Sequence, residues 1–134
     1  MKKKKINKAE VFFAKMENEN VFINSPTLVT ITDAEGKIVC VDDSFCQLSK
    51  YTKQELIGNT HRILNSGYHS ADFFAAMWKN IKKAKAWTSE VRNKAKDGSF
   101  FWVECKIIPF PHANGKPWRY ISVMKDITAT KIAA

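Results

Sequence analysis

The chain has 134 residues, of which 45% are hydrophobic and 26% charged, with a formal net charge of +9. This length fits one domain, since domains usually run about 100–150 residues, and an aromatic content of 12% argues against global disorder. No apolar run approaches the ~20 residues of a membrane-spanning helix, and no secretory signal follows the first lysines. We therefore expect a globular domain located in the cytoplasm.

Positive charge is concentrated at the amino terminus. Residues 1–15 carry six lysines and one glutamate, a net charge of +5, whereas the other 119 residues share +4. A charged tail of this kind aids solubility or weak electrostatic binding more often than specific recognition. We therefore expect no specific nucleic-acid binding.

Motifs of catalysis and metal binding are absent from the sequence. It contains no HExxH, GxSxG, P-loop or GxGxxG pattern, which argues against an enzyme. The three cysteines, Cys40, Cys46 and Cys105, have no CxxC spacing, which disfavours a disulfide scaffold or a zinc site and favours a reducing compartment.

The predicted elements begin with a helix that follows the lysine run. Asn7 and Glu10 have the spacing of a capping box, and Phe12 belongs to an apolar side that must pack against something. Residues 1–24 are thus predicted to form a basic tail and an amino-terminal flanking helix. Two strands follow at 27–32 and 37–41, joined by a turn that ends at Gly36.

Short helices come next. Thr52 and Glu55 form a second capping box, and Gly58 is placed to end that helix. Ser70 can cap a longer helix through about residue 84, because its apolar residues Phe74, Met77, Trp78 and Ile81 recur at helical spacing.

Three antiparallel strands are predicted in the second half, at 87–95, 99–108 and 118–127, with a tight turn at Asp97-Gly98. The order of elements indicates an α+β fold: a five-stranded antiparallel sheet with helices on one face. In the middle strand, alternate residues from Phe101 to Ile107 form an apolar inner face, and Phe100 and Trp102 lie on the opposite face. Such an outer face needs a cover, either the flanking helix or a partner subunit.

Asn93 is the most informative polar residue. It lies on the same face of its strand as Trp87 and Val91, so we expect its side chain to point inward. An unpaired carboxamide there would cost roughly 1–3 kcal/mol. A carboxamide offers a donor and an acceptor, which suits the edge of a heterocycle such as a flavin pyrimidine. The alternative is an asparagine bonded to nearby backbone.

Other candidates each have two interpretations. His61 can donate to a ligand, bind a metal or titrate near neutrality, or it can cap backbone groups of its loop. His69 near a helix start is a weak candidate for an axial haem ligand. Trp78 and Trp87 are core aromatics or the lining of a cofactor pocket, and Arg62 contacts a phosphate or stays solvated.

The sequence resembles a PAS domain over about residues 25–130. The similar segments are the opening stretch 31–38, the helix segment 51–58, Lys96-Asp97-Gly98 and the closing Asp126-Ile127-Thr128. The stretches 58–67, 77–78 and 86–98 are similar to the FAD-binding PAS domains of the nitrogen-fixation redox sensor and the aerotaxis receptors.

The resemblance implies a set of cofactor contacts. In that family, polar contacts to the isoalloxazine come from positions matching Thr30, His61 and Asn93, with a pocket tryptophan at Trp78. His61 stands where light-sensing domains carry the cysteine of the photoadduct, which excludes that adduct, and the haem-binding pattern is not matched. The full set of candidate cofactor-binding residues is Thr30, His61, Arg62, Trp78, Trp87, Asn93, Ser122 and Met124.

The function that follows from the resemblance is a sensory input domain that detects redox state or oxygen through bound FAD. The alternative is a cofactor-free module for small-ligand binding and dimerisation, and haem-based gas sensing is disfavoured. We expect residues 131–134 to begin a linker to an output domain, in a parent such as a histidine kinase, chemoreceptor or cyclase. A homodimer is expected through the flanking helix and the outer sheet face, with Phe12, Phe100, Trp102, Ile121 and Val123 at the interface.

Overall fold

The computed structural model describes residues 27–112 and 114–133, which form one antiparallel sheet with helices. The strand order across the sheet is β2-β1-β5-β4-β3. The predicted flanking helix and Phe12 lie outside the described residues. The strands are β1 (Thr27–Asp33), β2 (Ile38–Val41), β3 (Trp87–Lys94), β4 (Phe100–Pro111) and β5 (Pro117–Asp126).

Helices connect β2 to β3 and follow β5. The caps that begin two of them are those the sequence predicts: Thr52 and Glu55 form a reciprocal capping box, and the Ser70 hydroxyl accepts from the Phe73 N–H. None of the helices in the described part of the chain is long and apolar enough to cross a membrane. The helices are α1 (Asp43–Ser49), α2 (Lys53–Leu56), a 3₁₀ helix (His61–Leu64), α3 (Ala71–Lys82) and α4 (Thr128–Ala133).

The main core lies between the sheet and these helices. The predicted inner face of β4 is confirmed, because the four alternate residues that form it are all 7% exposed or less. They pack with Phe45 of α1, Leu64 of the 3₁₀ helix and Ile81 of α3, which fixes the helices on one face. These inner residues of β4 are Phe101, Val103, Cys105 and Ile107.

Strand β4 runs three residues further than predicted, to Pro111, despite prolines at 109 and 111. Prolines lack a donor and are tolerated only where a strand edge is free. The pairing explains the difference: β3 begins at Trp87 opposite Ile107, so beyond that point β4 pairs with β5 alone.

Both outer strands of the sheet are covered by segments that are not strands. On β2, the Ile38 N–H donates to the Asn59 carbonyl and the Ile38 carbonyl accepts from Gly58. On β3, a loop over residues 65–69, which we call the strap, binds both backbone groups of Arg92. Covering an edge satisfies groups that would otherwise pair with another chain.

Asp42 joins the first strand to the first helix. One carboxylate oxygen accepts from the Phe45 N–H at 2.9 Å, as a helix N-cap, and the other accepts from the Val29 N–H of β1 at 3.1 Å. Burial raises the pKa of Asp42 even though these bonds favour the charged form. Partial burial therefore destabilises the charged carboxylate, and hydrogen bonds from two backbone N–H groups stabilise it.

Replacing this carboxylate tests how much its two hydrogen bonds contribute to the stability of the fold. We expect Asp42→Ala to lower the free energy of unfolding by about 1–2 kcal/mol, because both donors lose their acceptor. Asp42→Asn keeps a capping oxygen without a buried charge and should cost much less. Urea denaturation measures both, with the exposed Asp43→Ala as control. Equal losses for Ala and Asn at position 42 would contradict the capping role.

Candidate functional site

The candidate site lies between the inner face of β3 and the apolar side of α3. Every inward-facing residue of β3 is half-buried, whereas those of β4 are fully buried. Phe74 and Met77 of α3 are half-buried as well, so neither side of this region is as closed as the core. We call the region between the two elements the β3–α3 cleft; its β3 side is formed by Trp87, Ser89, Val91 and Asn93.

Asn93 lies inward, as predicted, because its cross-strand partner is the buried Phe101 and directly paired residues share a face. Its backbone forms a bridge with Asn65 of the strap. No hydrogen bond joins its half-buried side chain to another residue that the structure describes. Because no buried polar side-chain atom among these residues lacks a partner, the amide is accessible to solvent.

His61 and Thr30, both candidate contacts, bind each other. The Thr30 hydroxyl, on a fully buried residue in the middle of β1, lies 3.0 Å from His61 Nε2. Although the residue as a whole is half-buried, burial of its ring lowers the pKa of His61 to about 4. A neutral imidazole at pH 7 follows, with one ring nitrogen engaged by Thr30.

Ser122 and Met124 form part of the floor beneath this pair. Ser122 is the cross-strand partner of Thr30 and is 5% exposed, and Met124 is 4% exposed. Ser122 also hydrogen-bonds Cys105, while burial raises the pKa of that thiol to about 12. Cys105 is thus a protonated thiol in the core.

The two tryptophans contact different neighbours. Trp87 packs its ring edge-on to Phe73 of α3 at 5.4 Å, and Trp78 packs edge-on to Tyr120 at 5.6 Å. Both are half-buried and pack against the core. Arg62, in contrast, is exposed on the 3₁₀ helix.

His69 has a structural bond rather than an open ring nitrogen. Its Nε2 accepts from the Arg92 N–H at 2.9 Å, and its ring stacks on Phe73 at 4.2 Å. Burial lowers the pKa of His69, which keeps this nitrogen available as an acceptor. The bond occupies the nitrogen that an axial haem ligand would use, and no local sequence pattern predicts it.

A separate surface depression of about 320 Å³ lies near the start of β1. None of the predicted cofactor-binding residues lines it, so its position does not support any of them. Its lining is formed by Leu28, Ser44, Gln47, Leu48 and Asp126.

The predicted interface residues differ in exposure. Phe100 is 45% exposed, while Trp102 and Val123 are half-buried. Ile121 is fully buried in a small second cluster with Val29 and Ile31, so it offers no exposed surface to a partner. An outer-face interface would therefore centre on Phe100.

Trp102 has a role that the sequence analysis missed. Its backbone N–H donates to the Thr128 hydroxyl at 2.9 Å, and its carbonyl accepts from Ile127. The Lys131 ammonium lies 4.5 Å from the Trp102 ring centroid and forms an ion pair with Glu90 at 3.0 Å. These contacts hold α4 against β4 and β3. In the sequence, only the neighbouring segment Asp126-Ile127-Thr128 pointed to this region.

Known proteins share both the sequence pattern and the fold. The sequence model of one family, described as PAS domain, matches residues 26–129. The chain is 35% identical over 108 residues to the aerotaxis receptor of Escherichia coli, covering 81% of this chain and 21% of that protein. It is 25% identical over 120 residues to the nitrogen fixation regulatory protein of Klebsiella pneumoniae, covering 90% and 23%.

Solved structures show the same architecture. The PAS domain of a protein from Colwellia psychrerythraea superposes with a TM-score of 0.73 at 22% identity, covering 87% of this chain and 98% of that one. The LOV domain of a blue-light activated histidine kinase from Erythrobacter litoralis superposes at 0.69 with 20% identity, covering 77% and 97%. The chain spans about a fifth of the curated relatives named above.

The buried His61 predicts a pH dependence of stability. An unfolded histidine titrates near 6.5, whereas His61 titrates near 4 in the fold, so the unfolded chain binds more protons between these values. Its contribution is complete above about pH 6.5 and falls by up to about 3 kcal/mol as the pH drops to 4. Urea denaturation from pH 7 to pH 4 measures it.

The control is the variant His61→Gln, which keeps a hydrogen-bonding group but cannot titrate. We expect its free energy of unfolding to fall less between pH 6.5 and pH 4 than that of the parent chain, the remainder coming from His69 and the carboxylates. Parallel pH profiles for the two chains would show that His61 is not buried in its neutral form.

Proposed function

The chain belongs to the PAS domain family of sensory domains in signalling proteins, and from this premise we propose that it detects redox state or oxygen through bound FAD. The single observation that carries the proposal is the Asn93 carboxamide, which lies opposite the buried Phe101 on the inner side of β3 and has no hydrogen bond to another described residue. It faces the half-exposed lining of the β3–α3 cleft.

The residues present fit an isoalloxazine ring. A flat heteroaromatic group needs apolar walls and a few polar partners. Trp87, Val91 and Met77 supply walls that are half-buried and adjacent to the core. The Asn93 amide supplies a donor and an acceptor, and the neutral His61 ring supplies one further bond.

FAD would contribute a redox couple whose reduction adds a proton to the ring. The chain's own residues would register that change. Asn93 can present its amide N–H₂ or its carbonyl by turning about its last torsion, so it can follow a change from acceptor to donor. His61 can do the same only by exchanging its tautomer, which also changes the direction of its bond to Thr30.

The position of Asn93 offers a route to the rest of the domain. Its neighbour Arg92 is held by the strap through Ser66 and His69, and pairs across the sheet with Trp102. Trp102 holds the start of α4. We propose that altered bonding at Asn93 shifts β3 against the strap, and that Trp102 passes this shift to α4 and to an output domain of the parent protein.

Cofactor binding gives the direct test of this function. We expect the chain to bind FAD and Asn93→Ala to weaken binding about tenfold, since losing a paired carboxamide costs roughly 1–3 kcal/mol. Asn80→Ala is the matched control, because Asn80 is exposed on α3. Flavin fluorescence quenching during titration measures affinity. A parent chain that does not bind FAD would end the proposal.

The second candidate is a dimerisation module without a cofactor, favoured by the exposure of Phe100, whose ring lies 3.8 Å from the Arg92 guanidinium. We expect Phe100→Glu to convert a dimer into a monomer in sedimentation equilibrium, since it places charge in an apolar contact. Ile57→Glu, at the C-cap of α2 and 40% exposed, is the control. A dimer that survives Phe100→Glu would remove the outer-face interface.

A further inference from the structure

Four lysines gather at the carboxyl end of α3. Lys79, Lys82, Lys83 and Lys85 fall within seven residues, and all four are exposed. None forms an ion pair with an acidic side chain in residues 27–112 or 114–133, whereas five other lysines of the same ranges do. We call these four residues the lysine cluster.

The lysine cluster accounts for most of the domain's excess charge. Residues 27–133 contain 16 basic and 10 acidic side chains, and the cluster segment contains four of the basic ones and no acid. The nearest acids along the chain are Asp72 and Glu90, and Glu90 is bound to Lys131. Outside the cluster, positive and negative charges are close to balanced.

Helix stability alone does not explain the cluster. Cations in a last turn are favoured by the helix dipole, which suits Lys79 and Lys82. Lys83 is already the C-cap, and Lys85 lies beyond it. Lys79 and Lys83 are four residues apart, a spacing at which like charges repel.

The backbone holds the cluster in one arrangement. Ala84 has a positive φ of 60°, and the N–H groups of Ala84 and Lys85 donate to the carbonyls of Ile81 and Asn80. The four lysines therefore extend from a hydrogen-bonded helix end, and all four are exposed.

Tryptophans lie beside these charges. The Lys82 ammonium is 5.8 Å from the Trp78 ring centroid, and Trp78 packs on Tyr120. Two residues along β5 from Tyr120, Trp118 is stacked by His112 at 5.4 Å and lies 4.8 Å from the Arg119 guanidinium. This end of the domain thus combines clustered positive charge with half-buried tryptophans.

We propose that the lysine cluster docks the domain on an anionic phospholipid surface. An exposed group of lysines without ion pairs among the described residues attracts a dense layer of headgroup charge without requiring a shaped site. Neighbouring tryptophans suit the boundary between headgroups and acyl chains. Single-stranded nucleic acid would need free aromatic faces for stacking, but the Trp118 ring is already stacked by His112. The proposal does not depend on flavin binding.

Vesicle co-sedimentation of the full chain tests the proposal. The probes are phosphatidylcholine vesicles and vesicles in which a third of the lipid is phosphatidylserine. We expect binding to the anionic vesicles only, weakened by added salt. The triple variant Lys82→Glu, Lys83→Glu and Lys85→Glu should reduce the partition coefficient at least tenfold.

The matched control carries the same charge change elsewhere, as Lys94→Glu, Lys106→Glu and Lys125→Glu, at exposed positions of the sheet. It should lose much less binding than the cluster variant, which also controls for the lysines of residues 1–15. Equal losses in both variants would overturn the proposal, as would no binding to anionic vesicles. Tighter, cluster-dependent binding to an RNA or DNA oligonucleotide would instead assign the cluster to nucleic acid.

Discussion

The hydrogen bond between Thr30 and His61 is the constraint on which the candidate site depends. Thr30 is fully buried in the centre of the sheet, where an unpaired hydroxyl would be costly. Its partner lies 31 residues away, in the 3₁₀ helix. The contact therefore fixes the path of the chain between β2 and α3 and holds the 3₁₀ helix whose Leu64 packs in the core. Burial of the ring keeps the imidazole neutral. The strap begins directly after this segment, so its approach to β3 follows from the same anchor.

Local patterns gave most of the fold. Capping boxes, turn residues and the alternation in β4 predicted where elements begin and which faces are buried, because those properties depend on neighbours a few residues apart. The orientation of Asn93 followed from the same alternation. The pairing of Thr30 with His61 did not, because the resemblance implied two separate ligand contacts and no local rule places a hydroxyl beside an imidazole 31 residues distant. The engagement of His69 by the Arg92 backbone and the extension of β4 through two prolines also required the sheet pairing to be known.

The cleft and the carboxyl-terminal helix are connected by few residues. Asn93 belongs to the same strand as Glu90, which pairs with Lys131 of α4, and Arg92 sits opposite Trp102. A displacement of β3 by a fraction of an ångström would change both the ion pair and the support of the Trp102 ring. Packed interfaces of this kind tend to adopt one of two arrangements rather than deform continuously, which suits a domain whose family works in signalling.

The covered edges of the sheet limit how the domain can assemble. Asn59 and Gly58 bind the backbone of Ile38 on β2, and Ser66 and His69 bind that of Arg92 on β3. The backbone groups of Ile38 and Arg92 are therefore unavailable to a second chain, and a further strand cannot pair with the sheet edges at these two positions. Association through a face of the sheet or through α4 leaves these bonds intact. Geometry of that type allows subunits to rotate against each other without breaking a continuous backbone ladder, so a reversible change in association is compatible with an intact fold.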